Sequence, residues 1–93
     1  MLLTLGLTAC VPEDIGGSFQ IVNATDRPLY FSTARIPSDG GRYDHGMSGC
    51  GRPGLKLYDE DGQVVVHVDE KWCAGQVLTV RGQDEYTLES ASG

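Results

Sequence analysis

The stretch Leu55-Lys-Leu-Tyr58, Asp59-Glu-Asp-Gly62, Gln63-Val-Val-Val-His-Val68 most constrains what this chain can fold into. Two short alternating runs flank a turn in which Asp61-Gly62 supplies the positive-φ residues that a tight connection needs, so the segment reads as a β-hairpin. Val64, Val66 and Val68 share one face of its second strand, and Val65 and His67 share the other. Apolar residues on both faces predict a central strand. No window of the chain sustains a 3.6-residue apolar period, so no substantial helix is expected.

The remaining strand signals are of the same kind. Phe19-Gln-Ile-Val22 and Leu29-Tyr-Phe-Ser-Thr33 flank the polar, Pro-containing Asn23–Pro28, which reads as a second hairpin turn. Val77-Leu-Thr-Val80 and Glu85-Tyr-Thr-Leu88 flank Gly82-Gln83, with Trp72-Cys73-Ala-Gly75 as the connection before them. The segment from Ile36 to Gly54 is rich in Gly, Ser, Asp and Pro. It is long for a structureless loop, so it is either functional or hides a short irregular edge strand. About six to seven short strands with frequent turns predict an all-β fold, a small antiparallel β-sandwich (Ig-like) or a partly open barrel. The expected inward set is Ile21, Leu29, Phe31, Leu55, Leu57, Val64, Val66, Val68, Leu78, Val80, Tyr86 and Leu88, with Trp72 packed near Cys73.

At 93 residues the chain is one small domain, and domains of this size often need a covalent staple. Its net charge of −6 gives no electrostatic gain on nucleic-acid phosphates and repels anionic headgroups, so no nucleic-acid partner is expected. The three cysteines, Cys10, Cys50 and Cys73, are an odd number, which leaves one over in an exported protein.

Leu7-Thr8-Ala9-Cys10, preceded by Leu2, Leu3 and Leu5, resembles the lipobox of a bacterial lipoprotein signal peptide. The resemblance implies lipidation of Cys10, cleavage before it, and a membrane-anchored position on the extracytoplasmic side. A signal peptide carries a basic n-region, and the first basic residue here is Arg27, so the resemblance also implies a start upstream of Met1. With Cys10 consumed as a thioether, Cys50 and Cys73 remain as one disulfide pair; in a cytosolic chain both would be free thiols or metal ligands. The organisation is then a signal segment over 1–9, a lipidated N-terminus and linker over 10–18, a β-sandwich over 19–89 and a polar tail over 90–93.

The central and C-terminal parts resemble a group of small exported actinobacterial domains of unassigned function. The residues that carry this are Val22-Asn-Ala-Thr25, Cys50, the Asp59-Glu-Asp-Gly62 hairpin and Cys73-Ala-Gly75, within roughly residues 19–81. It implies a sandwich-like fold and no known activity.

No motif carries catalysis. Gly49-Cys-Gly-Arg-Pro-Gly54 matches G-x-G-x-x-G, but a strand follows it where a helix would have to face a pyrophosphate. Asp59-Glu-Asp-Gly62 has its glycine at the fourth place, not the sixth that an EF-hand requires. Gly46-Met-Ser-Gly-Cys50 lacks the last glycine of a nucleophile elbow, and Asn23-Ala-Thr25, formally a glycosylation sequon, is turn chemistry. The expected contact surface is the long loop with Arg42, Tyr43, His45 and Arg52, since Arg and Tyr favour interfaces. These readings point to a monomeric, non-catalytic accessory module without a cofactor, acting on a neighbouring envelope protein. The alternative is extracytoplasmic copper or zinc binding through His45, Met47 and His67.

Overall fold

A computed structural model describes residues 17–91. They form ten strands: β1 (Ser18–Asn23), β2 (Leu29–Phe31), β3 (Ala34–Ile36), β4 (Gly41–Gly46), β5 (Cys50–Gly51), β6 (Leu55–Tyr58), β7 (Val64–Val68), β8 (Trp72–Cys73), β9 (Gln76–Gly82) and β10 (Glu85–Ser90). No helix occurs among the described residues. The strands make two four-stranded sheets, ordered β10-β9-β1-β4 and β3-β2-β6-β7, and a two-stranded ribbon β5-β8. All pairings are antiparallel except β1 with β9.

The core follows from strand alternation. Phe19 and Ile21 of β1 and Leu78 and Val80 of β9 point from the first sheet towards Leu29, Ile36, Leu57, Val66 and Val68 of the second, and all are essentially without solvent exposure. Leu55 is also buried, while Phe31, Tyr86 and Leu88 are half-buried against this core. Val64 departs from the expected inward set, at 38% exposure. The pairing of Leu57 with Val66 and of Tyr58 with Val64 leaves Val65 as an extra residue, a β-bulge that turns Val65 onto the core and Val64 outward beside Tyr58. The apolar residues on both faces of this strand thus reflect a bulge, and β7 is an edge strand, not a central one. The β9–β10 turn covers that edge, where Asp84 N–H donates to the Val65 carbonyl (2.8 Å) and Gln83 Nε2 to the Val64 carbonyl (3.0 Å).

One other segment differs from expectation, and a second takes one of its two expected forms. Residues 19–33 are no hairpin, because β1 and β2 lie in different sheets and Asn23–Pro28 crosses between them. The long segment from Ile36 to Gly54 hides a six-residue edge strand, β4, along the whole of β1 from Ser18↔Gly46 to Asn23↔Gly41. Two glycines permit the close approaches this requires. A Cβ on Gly41 would overlap the Pro37 carbonyl, and one on Gly51 would overlap the Trp72 indole.

Candidate functional site at the disulfide end

Strand direction sorts the surface into two ends. Ser18, Gly46, Gln76 and Ser90 lie at one end of the first sheet, and Asn23, Gly41, Gly82 and Glu85 at the other. The first end holds the staple. Cys50 and Cys73 are directly opposite each other in the β5-β8 ribbon and are bonded (S–S 2.03 Å), as expected from parity. Ala74 N–H donates to the Gly49 carbonyl (2.9 Å), and Cys73 N–H to Gln76 Oε1 (2.6 Å).

The ribbon seats Trp72 against the end of the core, at 9% exposure. Gly51 lies flat on its ring, and its Nε1–H donates to the Arg52 carbonyl (2.6 Å), which satisfies the one polar atom of the indole. Around it Phe19 (4.8 Å, tilted), Phe31 (6.4 Å, edge-on) and His45 (6.2 Å) complete an aromatic cluster. His45 meets Phe31 edge-on at 5.3 Å and stacks with Tyr43 at 6.3 Å, and both are half-buried on the inner face of β4. Met47, also half-buried, packs against the same core. The His45 ring thus packs against the rings of Phe31, Tyr43 and Trp72, which hold it as a packing element.

The four residues expected to form one contact surface are not brought together. Tyr43 and His45 share the inner face of β4. Arg42 is on its outer face, donating to Gln20 Oε1 across β1 (3.2 Å). Arg52 enters through its backbone carbonyl, and its side chain is exposed. The alternative metal set is separated as well. His67 lies between the buried Val66 and Val68, so it faces out from the second sheet, 3.9 Å from Asp69, whereas His45 lies between the sheets. No group of three or more His, Cys, Asp or Glu able to hold a metal occurs among the described residues. Cys10 lies outside the described residues.

The opposite end gathers four turns and seven acidic residues: Asp26, Asp39, Asp59, Glu60, Asp61, Asp84 and Glu85. A cleft of about 160 Å³ opens there between Arg27, Asp59, Val65 and Gln83. Of the carboxylates lining it, Asp59 is engaged in structure, its Oδ1 accepting the N–H groups of Asp61 (2.8 Å) and Gln63 (3.0 Å), and the lining Arg27 pairs with Glu60 (3.5 Å). Gly62, at φ 82°, provides the positive-φ position of this hairpin. Beneath the turns Asn23 is fully buried, a polar group at the rim of the core that the pattern of apolar residues could not single out.

Comparison of the chain with protein-family models, with curated proteins and with solved structures finds no match to any of them.

Proposed function

We propose that this chain is a lipid-anchored protein of the cell envelope whose β-domain serves as a non-catalytic accessory module for a neighbouring envelope protein. The observation that carries this reading is the Cys50–Cys73 disulfide. Disulfides persist in oxidising compartments, and this one consumes both downstream cysteines. Cys10, at the end of Leu7-Thr-Ala-Cys10, is then the odd cysteine, available for a thioether. The seven residues between Cys10 and β1 reach at most about 23 Å when extended, so the anchor holds the domain close to the membrane surface. The disulfide end, where β1 starts, faces that surface, and the acidic turns face away from it. This orientation keeps like charges apart, since an acidic patch is repelled by anionic headgroups.

Mass spectrometry of the natively expressed protein tests the anchor. The expected species begins at a diacylated Cys10, with or without an N-acyl chain, and retains one disulfide. An unmodified Cys10 in a chain still carrying Met1 overturns the anchored reading. In-cell crosslinking of the wild type against Cys10→Ala tests the accessory role, because partners of an anchored module should be lost when the anchor is removed.

A further inference from the structure

The outer face of the second sheet differs from the rest of the molecule. One residue from each strand forms a continuous row across it, Arg35 (β3), Tyr30 (β2), Tyr58 (β6) and Val64 (β7), in the registers Tyr30↔Arg35, Tyr30↔Tyr58 and Tyr58↔Val64. Beside it Lys56 and His67 face each other across β6 and β7. All six positions alternate with inward-facing neighbours; Arg35, Lys56, Val64 and His67 are exposed, and the two tyrosines are half-buried. None of the six is acidic, in a chain with 13 Asp and Glu against 7 Lys and Arg. Arg27 pairs with Glu60, Arg42 with Gln20 and Arg81 with Thr87. Arg35 and Lys56 form no ion pair or side-chain hydrogen bond among the described residues.

We infer that this face docks an acidic polypeptide segment, with Arg35 and Lys56 meeting its carboxylates and Tyr30 and Tyr58 packing against its backbone and side chains. Arg and Tyr together are the composition of protein-binding patches, and the guanidinium fork of an unpaired Arg suits a carboxylate. A long polyanion or an anionic bilayer fits less well. Affinity for these grows with the number of charges neutralised, and this face offers only two permanent cations, Arg35 and Lys56. A second copy placed face to face would set Arg35 and Lys56 against themselves, because a two-fold contact brings the same patch to both sides. Four strands at the usual spacing of about 4.8 Å make a row about 14 Å wide, the size of the centre of a transient contact and not of an obligate one. The inference rests on the accessory-module reading and gives its partner a chemistry.

The test titrates the full chain with a labelled decapeptide of alternating Glu and Ser, followed by NMR. Expected is salt-sensitive binding, with shifts at Tyr30, Arg35, Lys56 and Tyr58. The double variant Arg35→Glu, Lys56→Glu should weaken it about tenfold or more, as loss and reversal of two exposed ion pairs require. Arg42→Glu, on the other sheet, should leave it unchanged. Arg35→Gln with Lys56→Gln is the second variant, should the reversed charges disturb the fold, and should also weaken binding. No binding at millimolar peptide, shifts confined to another face, or equal affinity in a folded variant overturns the inference. Preferential binding of inorganic polyphosphate or of phosphatidylglycerol vesicles does so as well. None of these outcomes depends on acylation of Cys10, so failure here is separable from failure of the anchored reading.

Discussion

Asn23 uses all of its side-chain hydrogen-bonding capacity. Its Nδ2 donates to the carbonyls of Arg27 (2.7 Å) and Ile36 (3.1 Å), while its Oδ1 accepts from Thr25 N–H (3.0 Å) and Thr25 Oγ1–H (2.6 Å). One buried amide thereby joins the end of β1, the crossing segment and the end of β3. Asn23→Ala would orphan at least one donor and one carbonyl in the interior, at about 1–3 kcal/mol each, so a loss of about 3 kcal/mol is expected in urea unfolding. A loss below about 1 kcal/mol would show that water replaces these bonds. On the surface, the Tyr86 hydroxyl donates to Glu70 Oε2 (2.9 Å). That hydrogen bond, then desolvation, then the negative charges of Glu70 and Asp69 raise its pKa above the ordinary 10.0. A raised pKa in the folded state means that the contribution is fully present below about pH 10 and fades as pH climbs through the folded value. Ultraviolet titration should find a phenol ionising above the ordinary value, and Glu70→Gln should bring it back towards 10.

At the scale of elements, β5 and β8 have two residues each, so the disulfide does most of the work of holding their ribbon together. A crosslink over 23 residues is worth about 3 kcal/mol by chain entropy. Cys50→Ser with Cys73→Ser should lower stability by about that much. Its effect should be local as well: hydrogen exchange at Ala74 N–H, bonded to Gly49, should accelerate far more than at the centres of β1 and β9. The hairpins β6–β7 and β9–β10 and the disulfide could be read from sequence because each depends on neighbouring residues or on cysteine parity. The crossing at Asn23–Pro28 could not, since its turn residues suit a hairpin equally well and only the burial of Asn23 commits them to bridging two sheets. β4 was hidden because Gly41, Arg42, Asp44 and Gly46 suit a solvated loop, and its two inward residues, Tyr43 and His45, lie at the edge of the core. The expected contact loop was therefore half a strand, whose alternation sends Arg42 to one side and Tyr43 and His45 to the other.

At the scale of the whole molecule, the parallel pairing of β1 with β9 places the first described strand between two neighbours instead of at an edge. Its consequence is mechanical. A pull on the N-terminal segment runs along the axis of β1 and loads its hydrogen bonds to β4 and β9 together, in shear. A pull between the two termini acts differently, because Ser18 and Ser90 lie at the same end of the sheet and β10 has a neighbour only on its β9 side. That load draws β10 away from β9 one bonded pair at a time. Single-molecule extension should give a higher unfolding force with handles at Gly17 and Asp84, at opposite ends of the sheet, than with handles at Gly17 and Ala91. Equal forces would mean that β10 does not yield first. Tension applied through the segment before β1 therefore enters the domain at a strand bonded on both sides, and not at an edge that can be peeled away.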